Sequence, residues 1–259
     1  MPNIETLSGN VALVTGAGRG IGAEIARRLA EGGAAVAINY RSSAEGAEET
    51  VKMIEEAGGR AVAVRADVTD RADVAAMSLE IEQVLGPIDL VVLSSTGYSN
   101  HLRGPLLDLP LDELVSNMAA QARATLTPVQ VLAPGMLERG RGSFVFISDS
   151  FARTQKVGTI GHALTKSPME AAMRHLALEF GPRGVRVNTV IPGATRSTNL
   201  EISTQTQHKG RLAAVVNETP LRKIGEPRDI ANAVAAIASP ELSHVTGAFL
   251  PVSGGYLLL

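Results

Sequence analysis

The chain alternates short apolar runs with longer amphipathic stretches. The short runs are rich in Val and Ile and have no polar face; they lie at 11–15, 34–39, 61–66, 88–94, 143–148, 185–191 and 247–252. Strands of this kind are typical of parallel sheets that helices cover on both faces. The amphipathic stretches predict helices near 20–32, 43–57, 70–85, 111–136, 161–181 and 227–238. The alternation predicts a single α/β domain over 1–259, built as a Rossmann-type, doubly wound parallel sheet.

One segment, at about 194–225, departs from this alternation. It is polar, it contains STQTQHKGR, and it follows the sixth predicted strand. In doubly wound folds the ligand lies beyond the carboxyl ends of the strands. We therefore expect this segment to cover the substrate.

Composition and charge exclude several classes of function. The 259 residues include 24 Lys and Arg against 26 Asp and Glu, for a net charge of −2, and neither sign forms a long run. This balance does not support a nucleic-acid or membrane-surface partner. Cys is absent, and the five His residues lack an HxxxH spacing, so we expect no metal site. No apolar run reaches the ~18 residues of a membrane helix and the N-terminus has no signal-peptide pattern, so we expect a soluble cytoplasmic protein.

A glycine-rich loop, TGAGRGIG at 15–22, follows the first predicted strand and opens the first predicted helix. In such a loop Gly16 permits a tight turn, Gly20 lets the backbone approach a pyrophosphate, and Gly22 lets the helix pack closely on the sheet. The helix N-terminus then offers free N–H groups and a positive dipole end to the phosphates. The loop predicts a dinucleotide-binding site; the alternative is a glycine turn that binds nothing.

The end of the second predicted strand indicates which dinucleotide binds. The stretch INYRSS at 38–43 lacks the acidic residue that usually holds the ribose hydroxyls of NAD. Arg41 stands there instead, followed by Ser42, and Arg19 lies inside the glycine loop. Two guanidiniums can clamp a 2′-phosphate through charge-assisted hydrogen bonds. We therefore predict NADP(H) over NAD(H), the alternative being two solvated surface arginines.

These motifs resemble the short-chain dehydrogenase/reductase family over essentially the whole chain. TGAGRGIG is similar to the family's TGxxxGxG, ADV at 66–68 to its adenine-side motif, and VNTVIPGATRS at 187–197 to the segment that holds the nicotinamide. The resemblance implies an oxidoreductase that acts on a small molecule and assembles as a homotetramer. The cofactor-binding residues indicated by the motifs are Gly16, Arg19, Gly20, Ile21, Gly22, Arg41, Ser42, Asp67, Val68, Ser95, Gly97, Lys166, Pro192, Gly193, Thr195 and Ser197.

The active-site motif departs from the family pattern. The family uses Asn, Ser, Tyr and Lys, of which Asn117 matches the first and Lys166 the last. The Tyr position falls on His162 in GHALTK, and the Ser position falls on Asp149 in ISDS. SSTG at 94–97 also replaces the family's NNAG. On a helix, His162 and Lys166 share one face because they are four residues apart, so we expect Lys166 still to hold the nicotinamide ribose.

Both replaced positions carry groups that transfer protons. Imidazole titrates near neutral pH and suits general acid or base catalysis. Lys166 should lower the pKa of His162, and Asp149 should raise it if the two side chains touch, so the net direction stays open. Tyr98, directly after SSTG, is either a competing proton donor or an aromatic wall of the pocket. We assign His101, in the same predicted loop, to the plain surface.

Three functions stay open at this point. The first is an NADPH-dependent reductase of a hydrophobic or natural-product carbonyl compound, working in biosynthesis with an altered proton relay. The second is a non-redox dehydratase, isomerase or cyclase that uses Asp149 and His162 as acid and base. The third is a non-catalytic partner subunit that keeps the fold for assembly. The pocket shows no evident arginine clamp for a substrate carboxylate, with Arg153 and Arg196 as the only candidates.

Overall fold

The computed structural model describes residues 7–196 and 209–258. Its centre is a seven-stranded sheet with the strand order β3-β2-β1-β4-β5-β6-β7. Every neighbouring pair of strands is parallel. The strands are β1 Val11–Val14, β2 Ala35–Tyr40, β3 Arg60–Arg65, β4 Leu90–Leu93, β5 Gly142–Ile147, β6 Val185–Pro192 and β7 Phe249–Val252.

Helices cover both faces of the sheet. Within the described residues the α-helices are α1 Gly20–Glu31, α2 Ala44–Glu56, α3 Arg71–Val84, α4 Leu111–Arg139, α5 Ile160–Phe180, α6 Lys209–Glu218 and α7 Pro227–Ala238. Helices α1, α2 and α7 share one apolar cluster with the sheet, in which Ile25 and Ile230 are fully buried. Helices α3, α4 and α5 share the other, which holds Met173 and Phe144. The sheet is therefore buried on both faces, which explains why its strands lack a polar side.

The predicted Rossmann-type single-domain fold is confirmed, with every predicted strand and helix present. Their ends lie within three residues of the predicted ones. Helix α6 was not predicted, because its polar sequence KGRLAAVVNE carries little apolar periodicity. It lies within the segment 194–225 that we expected to cover the substrate, of which residues 197–208 lie outside the described part of the chain. No helix in the described part is long and apolar enough to cross a membrane.

A crevice forms where the strand order reverses, between β1 and β4. The two strands pair in parallel, so the loops that follow them are neighbours. The hydroxyl oxygen of Thr15, directly after β1, accepts hydrogen bonds from the backbone N–H groups of Ser94 at 3.0 Å and Ser95 at 3.1 Å, directly after β4. Ligands of doubly wound folds bind at this reversal point.

Candidate active site

The glycine loop forms an open turn at the carboxyl end of β1. Gly16 and Gly20 have φ angles of 66° and 60°, in the left-handed region that favours glycine. A Cβ on Gly22 would lie 2.6 Å from the carbonyl oxygen of Gly16, so α1 could not start this close to the turn with another residue. Within the described residues, the side chain of the N-cap residue Arg19 makes no capping hydrogen bond, and the first turn of α1 has no acidic residue. The N–H groups of this helix end are therefore available to a phosphate.

Asn39 ties the glycine turn to two strands. Its side chain is buried near the end of β2, where Oδ1 accepts a hydrogen bond from the N–H of Gly16 at 3.2 Å. Its Nδ2 donates to the carbonyl oxygen of Ala66, just after β3, at 3.1 Å. Asn39 was not among the residues predicted from the sequence. Its sequence signal was a single amide side chain inside an otherwise apolar strand.

A cavity of about 380 Å³ lies at the carboxyl ends of β2 and β3 and is lined by Arg41, Arg65, Ala66, Asp67 and Asp73. Nη1 of Arg41 lies 3.4 Å from Oδ2 of Asp67. The Arg41 side chain keeps 54% of its surface exposed, so this ion pair is weak. The structure thus brings together Arg41 and Asp67, two of the residues predicted to meet the adenosine half of the cofactor.

Three further predicted contacts lie at the same edge of the sheet. Ile21 stands in the first turn of α1 and is partly buried. Ser42 follows β2 and is exposed, while Val68 follows β3 and is buried. All three positions agree with a cofactor that lies across the ends of β1, β2 and β3.

The SSTG loop after β4 closes the crevice from the other side. Ser95 packs against the glycine turn, where a Cβ on Gly16 would lie 3.2 Å from the Cα of Ser95. Gly97 has a φ of 70°, and a Cβ there would lie 2.5 Å from the carbonyl oxygen of Ala120 in α4. Only glycine fits at position 97, because the loop passes so close to the helix.

The predicted nicotinamide segment follows β6. Pro192 ends the strand, and the N–H of Gly193 donates to the carbonyl oxygen of Val252 at 3.0 Å. Thr195 is buried and its hydroxyl donates to the carbonyl oxygen of Gly193 at 3.1 Å. Ser197, the last predicted contact in this segment, lies outside the described residues.

Helix α5 places His162 and Lys166 one turn apart beside the carboxyl end of β5. Both are buried, with 8% and 6% of their surface exposed. Nζ of Lys166 donates to the carbonyl oxygen of Ile147 at 3.1 Å. A Cβ on Gly161 would lie 2.5 Å from the carbonyl oxygen of Leu102, so the loop after β4 packs directly on the start of α5.

Aromatic rings enclose His162. The ring of His101 stacks on it with centroids 5.3 Å apart and planes 24° apart. Phe151 meets it edge-on at 5.9 Å, and Tyr98 meets His101 edge-on at 5.1 Å. His101 is exposed, as expected of a surface residue, but its ring also contacts those of Tyr98 and His162, which the sequence did not predict.

The proton of Tyr98 is already engaged. The phenol oxygen lies 3.1 Å from the hydroxyl oxygen of Thr165, and that hydroxyl donates to the backbone carbonyl oxygen of His162 at 3.0 Å. Thr165 has only one hydroxyl proton, so Tyr98 is the donor in their shared hydrogen bond whenever Thr165 donates to the carbonyl oxygen of His162. Burial raises the pKa of Tyr98, which further weakens it as an acid.

Asp149 does not pair with His162. Its Oδ1 accepts a hydrogen bond from the N–H of Phe151 at 2.8 Å and so caps the short 3₁₀ helix Ser150–Ala152. Within residues 7–196 and 209–258, no hydrogen bond joins Asp149 to His162. Burial raises the pKa of Asp149. The Asp–His contact that the sequence suggested is therefore absent from the described site.

The pKa of His162 is lowered from its ordinary value, which settles a direction of shift that the sequence left open. Burial is the largest cause, followed by the positive charges of Arg103 and Lys166, and together they lower the pKa of His162 to about 4. Burial also lowers the pKa of Lys166 to about 8, although the carboxyl groups of Asp149 and Glu170 act in the opposite direction. At pH 7, His162 is neutral and most of Lys166 is charged.

The two arginines considered for a substrate carboxylate have partners in the protein. Nε of Arg153 lies 2.7 Å from Oε2 of the buried Glu170, whose Oε1 accepts a hydrogen bond from Ser148 at 2.6 Å. Nε of Arg196 lies 3.0 Å from Oε1 of Glu226. The Arg153 pair is buried on its Glu170 side, whereas the Arg196 pair is exposed on both sides and is weak.

Helix α4 holds the loop after β4 through amide side chains. Nδ2 of Asn117 donates to the carbonyl oxygen of Asn100 at 2.8 Å, and Nδ2 of Asn100 donates to Oε2 of Glu113 at 2.9 Å. One turn further along α4, Gln121 is fully buried, and its Oε1 has no hydrogen-bond partner in the described part of the protein. Such an open acceptor next to a site calls for a water or a ligand group, and the sequence alone gave no sign of it.

The sheet topology and the glycine turn at its reversal point are those of a doubly wound, dinucleotide-binding α/β fold. A family model described as Enoyl-(Acyl carrier protein) reductase matches residues 16–257. The 7α-hydroxysteroid dehydrogenase of Escherichia coli (strain K12) is 32% identical over 252 residues, which cover 96% of this chain and 94% of that protein. The chain belongs to the short-chain dehydrogenase/reductase family.

Two solved structures share the fold over nearly its full length. A blue fluorescent protein from a metagenomic library, in complex with NADPH, is 36% identical with a TM-score of 0.85 and covers 98% of this chain and 100% of its own. A 7α-hydroxysteroid dehydrogenase complexed with NADH and 7-oxo glycochenodeoxycholic acid is 30% identical with a TM-score of 0.89, covering 98% and 97%. The two hold different nicotinamide cofactors, so the cofactor preference of this chain depends on its own residues.

Proposed function

We propose that this protein is an NADPH-dependent reductase of a carbonyl compound in which His162 stands in for the family's tyrosine. One observation carries the proposal: a neutral, buried His162 lies one helical turn before Lys166 at the edge of the sheet where the glycine turn opens. The rings of His101, Phe151 and Tyr98 around it favour a substrate that is itself cyclic or hydrophobic.

The residues at the crevice fit NADPH. The open turn at Gly16 and Gly20 and the uncapped N-terminus of α1 suit the pyrophosphate. Arg19 and Arg41 suit the 2′-phosphate, because the Arg41–Asp67 pair is weak and exposed and gives way at small cost. When bound, the cofactor supplies a hydride to the carbonyl carbon of the substrate.

His162 acts on the carbonyl oxygen. A neutral imidazole donates a hydrogen bond from its N–H and stabilises the negative charge that develops on that oxygen. Lys166 holds the nicotinamide ribose and adds a positive charge one turn away. His162 passes its N–H proton to this oxygen, which completes the alcohol, and the imidazolate left behind takes a proton from solvent. Tyr98, whose proton is bound to Thr165, serves as a wall of the pocket.

Two further expectations belong to the same proposal. The segment 194–225, which includes α6, covers the bound substrate, because it follows the carboxyl end of β6. The chain assembles as a homotetramer, as the family implies. The non-redox alternative loses support, because Asp149 caps the 3₁₀ helix and does not pair with His162.

Substitution of His162 tests the proposal. We expect His162→Phe to lower kcat for NADPH-coupled ketone reduction by roughly 10²–10⁴-fold, the usual contribution of general acid–base catalysis. Tyr98→Phe should lower kcat by less than about tenfold, because in this proposal the Tyr98 hydroxyl does not give its proton to the substrate. The measurement is the rate of NADPH consumption with a panel of cyclic ketones, and both variants should bind NADPH as tightly as the original chain does.

Other outcomes would point elsewhere. A loss carried by Tyr98→Phe, with a mild effect of His162→Phe, would make Tyr98 the donor. Product formed without NADPH consumption would support a dehydratase, isomerase or cyclase. Failure to bind either NADPH or NADH would rule out a reductase and leave a non-redox enzyme or a non-catalytic partner subunit.

A further inference from the structure

Basic side chains occur on α5 and on the segments that precede it, and most of them have partners within the protein. Lys166 is buried and bonded to a backbone carbonyl oxygen. Arg153 is paired with the buried Glu170. Lys156 forms an ion pair with Glu218. Lys166 and Arg153 therefore have buried partners, whereas the Lys156 pair is exposed on both sides and lies against Glu218 of α6.

Arg103 differs from them. It is exposed, and no ion pair joins it to a carboxylate among the residues that the structure describes. Its guanidinium carbon lies 5.9 Å from the centre of the Phe151 ring, and that ring in turn lies 5.9 Å from the ring of His162. The guanidinium thus lies at the mouth of the aromatic cluster, on the side of the proposed proton donor.

The charge of Arg103 reaches the reacting groups. It lowers the pKa of His162 more than the charge of Lys166 does. It also acts on Asp149 and on His101, which lie on different elements of the site. The geometry agrees, because a single ring, that of Phe151, separates the guanidinium from His162, with 5.9 Å on either side of it.

The backbone around Arg103 is fixed before any ligand arrives. The N–H of Gly104 donates to the carbonyl oxygen of Gly158 at 3.1 Å, which joins this loop to the segment before α5. The carbonyl oxygen of Asn100, at the other end of the loop, accepts the hydrogen bond from Asn117. The Phe151 ring supports the guanidinium by a cation–π contact. A side chain held in this way loses less conformational entropy when it binds an anion.

We propose that Arg103 forms an anion-binding subsite beside the aromatic cluster around His162, and that the substrate is a cyclic compound that carries a ketone and a carboxylate. The ring lies among the aromatic side chains, the carbonyl oxygen meets His162, and the carboxylate accepts charge-assisted hydrogen bonds from the guanidinium. The ketone part rests on the proposed function, whereas the subsite requires only that a carboxylate binds.

The test compares two ligands of the same shape and different charge, 4-acetylbenzoate and 4-acetylbenzamide. We expect the acid to bind the protein–NADPH complex about tenfold more tightly than the amide. Arg103→Gln should abolish this preference, and Arg103→Lys should keep part of it. Arg183→Gln is the matched control, because Arg183 is exposed just before β6, at the opposite edge of the sheet.

A second readout is the NMR titration of the His162 ring. The acid should raise the pKa of His162, because its negative charge offsets that of Arg103, and the amide should not. Equal affinity for acid and amide, a preference that survives Arg103→Gln, or no measurable binding of the acid would each overturn the subsite. Binding of the acid without NADPH consumption would instead count against the reductase and leave the subsite intact.

Discussion

His162 works under conditions that differ from those of a free histidine. It is 8% exposed and has the positive charges of Arg103 and Lys166 nearby. Desolvation and these charges all penalise the imidazolium, so the neutral ring is the stable form at physiological pH. A reductase with this residue has to rely on the N–H of a neutral imidazole.

The pH dependence of turnover distinguishes a neutral donor from a charged one. With pKa values of about 4 for His162 and about 8 for Lys166, we expect kcat/KM to be flat between about pH 5 and pH 7. It should fall above about pH 8, where Lys166 loses its proton and its charge, and again below about pH 4, where His162 becomes charged. The measurement is the pH profile of kcat/KM with one ketone.

A charged donor would make kcat/KM depend on pH over the range in which a neutral donor leaves it flat. If the imidazolium were the acid, kcat/KM would decline steadily as pH rises from about 4. The Arg103→Gln variant provides an internal check. Removing that positive charge should move the acid limb to higher pH, because the pKa of His162 rises.

At the scale of elements, the loop between β4 and α4 assembles the site. It carries Tyr98, His101 and Arg103, and it packs on the start of α5 at Gly161. Loops of this kind commonly hold functional residues on a rigid scaffold. Here the scaffold is α4, which holds the loop through the side chain of Asn117.

Removing that anchor should loosen the loop. We expect Asn117→Ala to lower kcat/KM by about three- to tenfold, mainly through KM, because Arg103 and His101 lose their fixed positions. Hydrogen exchange of residues 98–105 should become faster in the variant. Asn117→Asp is the matched control: it has the same shape but cannot donate to the carbonyl oxygen of Asn100, so it should behave like the alanine variant. Intact activity in both variants would remove Asn117 from the site, and a loss of roughly 10²-fold or more with unchanged exchange would give it a direct catalytic role.

The sequence predicted the regular elements because their signals are local. The strand VALVT at 11–15 and the helix at 227–238 each carry their periodicity and their end signals within a few residues. The contacts of the loop after β4 are not local: His101 meets His162, which lies 61 residues further along the chain. Sequence spacing therefore identified His162 and Lys166 through the motif GHALTK, but it could not show which loop residues surround them.

At the scale of the molecule, the candidate cofactor site joins distant parts of one chain. Its residues follow β1, β2, β3, β4 and β6, and they meet because parallel strands all end at the same edge of the sheet. The two apolar clusters on either side fix the sheet and hence the relative positions of these ends. A ligand that touches so many strand ends binds only the folded state. Cofactor binding should therefore raise the free energy of unfolding of the whole chain.

Thermal unfolding therefore measures cofactor selectivity. At 100 times its Kd, a ligand that binds only the folded state stabilises it by about 2.7 kcal/mol. In a protein of this size that raises Tm by roughly 5–10 °C. At equal concentrations we expect NADPH to give the larger shift, because Arg19 and Arg41 bind its 2′-phosphate.

Arg41→Ala should lower the NADPH shift toward that of NADH without changing the NADH shift, whereas Arg60→Ala, at the far end of β3, should change neither. Equal shifts with NADH and NADPH in the original chain would contradict the assignment of these arginines and leave a cofactor site without phosphate selectivity.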